Sequence, residues 1–290
     1  LFAFFNSSVL TILDSTTLRS LGKNRESFGR ERVWGSIGFI FAVWGVGYIL
    51  GILSSRWFFL FYILAILCMV VTLYWLPNQK TEYKPTIYSR ISELLVKKEW
   101  MVFSASLLLI GLGSSAIEGF LGIYIKEMGG NEGLVGTAAA LATLTELPIM
   151  FWGEKIVKRH GPWQLLMVAY GVSVFRLIFY SIIPEPGWVL LISLLHSLSF
   201  GVYWIATIAF VDQITSEDIK SSAQGMLYAV LYFSRMLSSL VSGYLFDRVG
   251  GRYLFLISAL FSLMAVLLFW FNRPKGEPLK SIAGGQTPHS

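Results

Sequence analysis

The sequence predicts an all-α polytopic membrane protein, and three observations carry that reading. Of 290 residues, 55% are hydrophobic and only 14% charged, with a mean hydropathy of +0.64. A soluble domain is nearer to about 25% charged. The apolar residues gather into runs of about 20, the length a helix needs to cross a bilayer. The basic residues are shared unevenly between alternate loops, as in multi-pass proteins. This balance excludes disorder, a secreted disulfide scaffold and an ordinary soluble enzyme.

Nine transmembrane segments follow in order: roughly 1–18, 33–53, 57–76, 100–125, 132–153, 163–183, 187–211, 221–246 and 251–272. They are expected to be helices, because barrel strands are only about 10 residues long. Turn chemistry separates several of them: Gly129-Gly130, His160-Gly161-Pro162, Pro184-Glu185-Pro186-Gly187 and Gly250-Gly251. Gly47-x-x-x-Gly51 reads as a helix-packing motif. The stretch Gly111-Leu-Gly113-Ser-Ser-Ala116 superficially matches a dinucleotide fingerprint. It lies inside a span with no strand before it, so close helix packing is the better reading.

The loops set orientation. With the 19–32 loop taken as cytoplasmic, that side carries 17 basic residues and the opposite side four. The positive-inside rule therefore places the 19–32 and 77–99 loops and the C-terminus in the cytoplasm of a cell (inner or plasma) membrane protein. The net charge of +6 is explained by these loops, not by nucleic-acid binding. Within 77–99, Tyr88 to Trp100 puts Ile91, Leu94 and Leu95 on one face, which reads as an amphipathic helix on the inner membrane surface. A solvated linker is the alternative. Cys68, the single cysteine, lies in an apolar run and forms no internal disulfide. The Asn6-Ser7-Ser8 sequon lies inside a span and is discounted.

Ionisable residues inside spans cost about 2.5–3.5 kcal/mol each on insertion scales, so they need a partner or a water-filled path. The candidates are Glu118, Glu146, Arg176, His196 and Arg235. Glu146, Arg176 and His196 read as a functional cluster, since imidazole suits reversible protonation. Glu118 and Arg235 read as a buried charge pair locking two helices. No HExxH, GxSxG or Walker motif occurs. The sequence therefore expects no metal, no cofactor and no enzyme activity.

Several blocks then resemble one family. Phe28-Gly-Arg-Glu-Arg-Val-Trp-Gly-Ser-Ile-Gly-Phe39 closely resembles the loop and helix start between spans four and five of lactose-permease-like transporters of the major facilitator superfamily. The phenylpropionate-permease-like branch looks closer still. Asp14 precedes Arg32 by 18 residues, the family's spacing for an acid–arginine pair. Thr145-Glu146-Leu-Pro148 resembles span eight, Gly153-Glu-Lys-Ile-Val-Lys-Arg-His-Gly161 the following loop, Ser173-Val-Phe-Arg176 span nine, Leu195-His196 span ten, and Gly243-Tyr-Leu-Phe-Asp-Arg-Val-Gly250 the end of span eleven.

The resemblance implies a major facilitator fold of twelve spans in two halves, with this chain covering spans 4–12 and Leu1 falling within the fourth. It divides the chain into 1–76, the remainder of an N-terminal helical half; 77–99, a cytoplasmic linker; 100–272, a C-terminal six-helix half; and 273–290, a cytoplasmic tail. It implies substrate binding by Asp14, Arg32, Ser36 and Phe39, and proton coupling by Glu146, Arg176 and His196. Glu118 and Arg235 fall at or near its buried pair between spans seven and eleven. One position departs from the sugar symporters. Where they carry a glutamate three residues after the histidine, this chain has Ser199, which leaves the proton to Glu146 or His196, or uncouples the protein from protons.

The function expected is secondary active transport of a small organic solute, proton-coupled, by alternating access. Its partners would be the solute, protons and the lipid bilayer, with the protein monomeric. The alternative is a non-transporting receptor or sensor on the same scaffold.

Overall fold

The structure is a computed structural model and describes residues 28–52, 57–73, 91–216 and 219–273. Every regular element among the described residues is helical. We number them α1 (Phe28–Ile52), α2 (Phe58–Leu73), α3 (Ile91–Val96), α4 (Lys98–Glu127), α5 (Glu132–His160), α6 (Pro162–Ile182), α7 (Val189–Ser193), α8 (Val202–Ile214) and α9 (Lys220–Phe271). A 3-10 turn, Pro186–Trp188, leads into α7, and a π turn, Ser197–Gly201, leads into α8.

Eight of the nine expected segments have a helical counterpart; the first, 1–18, lies outside the described residues. Among the described residues, six helices are long and apolar enough to cross a membrane. The 16-residue α2 is a shorter apolar helix with most of its length exposed. A helix apolar on all sides suits a lipid-facing span. The last two expected spans appear as one element, α9, broken at Gly250, whose φ of 77° and ψ of 172° leave the helical region. Only glycine adopts that combination at little cost.

The other turns follow the sequence punctuation. Lys126 bonds Glu132 at 2.7 Å across the loop between α4 and α5. Asn131 caps α5, its Oδ1 accepting from the Leu134 N–H at 2.9 Å. Gly161, with φ 75°, stops α5, and Pro162 opens α6 at a position where its missing N–H costs nothing. Pro148 sits inside α5, two residues after Glu146.

Of the expected interfacial stretch, Ile91–Val96 forms α3. Leu94 is buried against Trp100 and Phe103, whereas Leu95 and Val96 are exposed. Leu94 anchors α3 to the bundle and Leu95 turns away.

Small residues let the long helices approach. Serines on α9 donate to α4 carbonyls: Ser234 to Leu108 O at 3.2 Å and Ser238 to Leu112 O at 3.2 Å. A Cβ on Gly111 would stand 1.9 Å from Ser234 Oγ, and one on Gly113 would stand 2.7 Å from the Ser258 carbonyl oxygen. These two glycines serve helix packing. On the other side, α1 crosses α5 at Gly47 and Gly136, where a Cβ on Gly47 would lie 3.0 Å from the Gly136 Cα. Two buried clusters close the ends of the α4–α9 bundle. One includes Trp100, Phe103, Leu166, Tyr170, Phe210 and Phe269; the other includes Tyr124, Leu177, Tyr180, Leu254 and Phe255.

Candidate functional site

Arg176 lies on α6 between Tyr170 of one cluster and Leu177 of the other, and is buried. Facing it, the helix that begins with α7 is irregular. The Leu194 and Leu195 N–H groups reach back to the carbonyls of Leu191 and Ile192, three residues earlier. The chain then widens into the π turn, Ser197–Gly201. Such turns insert extra backbone and recur at functional sites. Here the irregular stretch carries His196 and Ser199 to Arg176.

Glu146 of α5 completes a chain of three groups. His196 Nε2 lies 2.7 Å from Glu146 Oε1. Arg176 Nη1 lies 3.3 Å from His196 Nδ1 on the other side of the ring. Because guanidinium only donates, Nδ1 must accept, and the proton of a neutral imidazole then sits on Nε2 and is donated to Glu146. Arg176 also donates to the Ser199 hydroxyl and, from Nη2, to Tyr180 Oη at 3.3 Å. Its Nε is buried with no hydrogen-bond partner among the described residues. Ser199 Oγ in turn lies 3.0 Å from the His196 carbonyl oxygen. The serine thus sits against the guanidinium at the point where the sequence departs from the sugar symporters.

Arg176, His196 and Ser199 line a cavity of about 850 Å³, counting its open mouth. Its wall also includes Ser173, Phe200, Tyr203, Trp204, Tyr228, Glu118 and Arg235. Arg235 Nη2 lies 2.9 and 3.0 Å from the two Glu118 oxygens. The expectation that this pair is buried is corrected. The Arg235 and Glu118 side chains are 52% and 46% exposed, because they meet where α4 and α9 border the cavity.

The residues expected on α1 fall elsewhere. Ser36 is buried, its Oγ 3.6 Å from Met150 Sδ on α5, and Phe39 is about half exposed. Neither lines the cavity. Asp14 and the Arg32 side chain lie outside what the structure describes. Sequence reading missed the aromatic wall of Phe200, Trp204 and Tyr228. Phe200 and Trp204, spaced four apart after His196, were its available signal.

Long apolar helices packed around a mainly apolar cavity, with paired charges on its wall, make a multi-pass membrane protein, and its fold is the major facilitator fold. A solved structure agrees: that of the nucleoside transporter NupG (D323A mutant) superposes with a TM-score of 0.70 at 20% identity, covering 87% of this chain and 68% of that one. The MFS_1 like family matches residues 1–257, and the chain belongs to it. Its relatives include the transporter YwbF of Bacillus subtilis, 24% identical over 92% of this chain and 67% of that protein. The maltose permease of Geobacillus stearothermophilus is 25% identical over 96% of this chain and 72% of its own. The probable 3-phenylpropionic acid transporter of Escherichia coli is 22% identical over 87% and 66%.

Proposed function

We propose that this chain is part of a proton-coupled secondary transporter of a small organic solute, working by alternating access. The observation that carries the reading is the Glu146–His196–Arg176 chain, which links three helices beside a solute-sized cavity. The relatives, which are named transporters or permeases, support the same class. On this reading the segments 1–76 and 100–272 belong to two halves that rock about the cavity. The loops 19–32 and 77–99 and the C-terminus lie in the cytoplasm, as the basic residues direct.

The geometry favours Glu146 as the proton acceptor. A proton added to His196 sets an Nδ1–H donor against the Arg176 guanidinium, 3.3 Å away, and places two positive charges in contact. A proton added to Glu146 leaves both contacts intact, since the remaining carboxyl oxygen still accepts from Nε2. It removes one negative charge from the interior and leaves Arg176 less compensated. Solute binding and movement of the halves would respond to that change. Ser199 holds the guanidinium by hydrogen bonding but exchanges no proton near neutral pH.

Flux measured with the full-length protein in proteoliposomes tests this. Uptake is expected to rise with an inward proton gradient. Glu146→Gln is expected to abolish the gradient response while keeping solute counterflow. His196→Ala is expected to lower the gradient-driven rate at least tenfold. Uptake indifferent to the gradient, and unchanged in both variants, overturns proton coupling. Solute binding without counterflow supports the receptor reading instead.

A further inference from the structure

We propose that the Glu118–Arg235 pair is the polar contact for the transported solute, and that together with the aromatic wall it selects a neutral solute carrying an unsaturated ring. The proposal rests on the transport reading above and narrows its substrate class.

The first argument is cost against return. Both residues lie within helices long enough to span the bilayer, where each ionisable group is expensive to insert. A pair this open to water contributes little to stability. The close seam between α4 and α9 is already made by Ser234, Ser238, Gly111 and Gly113. The pair therefore has no evident structural task. It does face the cavity with unused bonding capacity. One amino group of Arg235 occupies both Glu118 oxygens, which leaves other N–H donors on the guanidinium and further lone pairs on the carboxylate.

The second argument is charge. Arg235 is matched by Glu118 directly, and Arg176 by Glu146 through His196. An anionic solute on the remaining Arg235 donors would lie beside the Glu118 carboxylate, and the two like charges would repel. A neutral group with a donor beside an acceptor, such as adjacent hydroxyls, can bridge the pair without displacing either partner.

The third argument is the opposing wall. The imidazole of His196 stacks on Phe200 with centroids 5.2 Å apart and planes 14° from parallel. Phe200 stacks on Trp204 at 6.3 Å and 20°, and Trp204 meets Tyr228 at 6.1 Å. The three rings recur every fourth residue, at 196, 200 and 204, along the π turn and the start of α8. Rings stacked on one another leave their edges for the cavity, and aromatic edges accept the face of another flat ring.

Equilibrium binding to the full-length protein in nanodiscs tests the proposal, read as quenching of the fluorescence that Trp204→Phe removes. The probes are phenyl β-glucoside and uridine (neutral, with a ring), 3-phenylpropionate (anionic, with a ring) and maltose (neutral, with no unsaturated ring). At least one of the first two is expected to bind tenfold or more tighter than either of the last two. Failure of both, or a tighter 3-phenylpropionate or maltose, overturns the assignment of substrate class. Glu118→Gln and Arg235→Lys are each expected to weaken the best probe at least tenfold. The swap Glu118→Arg with Arg235→Glu separates binding from a structural role. It is expected to keep the thermal midpoint while binding stays weak, because donor and acceptor have changed places. Recovered binding in the swap overturns the role of the pair. Counterflow of the same solutes reports on transport separately: binding without counterflow sinks the transport reading and leaves the site standing.

Discussion

Arg176 holds a positive charge in the packed interior, and its surroundings explain how that is tolerated. Its guanidinium has a hydroxyl on Ser199, a phenol on Tyr180 and an imidazole that passes its influence on to Glu146. A hydrogen bond to a charged group is worth about 1.5–3 kcal/mol. Ser199→Ala is therefore expected to lower stability by about that amount, seen as a lower thermal midpoint, while Ser199→Thr retains most of it. Arg176→Lys is not conservative here, since an ammonium lacks the planar fork that reaches three partners. It is expected to behave like Glu146→Gln in flux while binding solute. That Glu146, Arg176 and His196 need partners was legible from their cost in a membrane, and the three meet. That Glu118 and Arg235 are open to a cavity was not, because the position of water inside a bundle depends on how distant helices meet.

At the scale of elements, the helices were the legible part. Apolar length and the Gly/Pro punctuation located eight of the nine spans, and the residues at Asn131, Gly161, Pro162 and Gly250 do at each end what their chemistry dictates. Irregularity was not legible. Nothing in Ser197-Leu-Ser-Phe-Gly201 marks a π turn, since no residue there breaks a helix strongly. On α3, Leu94 is buried and Leu95 exposed, since six residues turn too few times for an amphipathic pattern to fix which apolar side chain packs inward. The glycine seam gives a test at this scale. A methyl on Gly111 meets Ser234 Oγ, which can rotate away, and Ser234 Cβ at 2.9 Å, whereas a methyl on Gly113 meets the backbone carbonyl of Ser258 at 2.7 Å as well as Ser262 Oγ. Gly113→Ala is expected to cost about 1–3 kcal/mol, and Gly111→Ala less, with Ser234→Ala easing the second variant in part and the first not at all. Thermal unfolding of the four proteins in detergent checks the order.

At the scale of the molecule, two features set what can move. The first is the crossing of α1 and α5, where Gly47 and Gly136 bring two backbones into contact and Ser36 rests on Met150. Smooth small-residue surfaces give a tight contact with few interlocking side chains, which suits a pivot between the proposed halves. The second is the matching of acids and bases within the spans, Glu118 with Arg235 at the cavity wall and Glu146 with Arg176 through His196. It has a consequence in electrical terms. Carrying one unbalanced charge across a membrane is worth about 2.3 kcal/mol per 100 mV. On the proposed reading, with these two pairs balanced and the solute neutral, the deprotonated carrier would cross without feeling the membrane potential. Only the protonated form would feel it, so the voltage would act on the loaded stroke and leave the empty return free. Solute exchange at symmetrical pH is therefore expected to give no current on a solid-supported membrane, whereas gradient-driven uptake gives an inward current that Glu146→Gln silences.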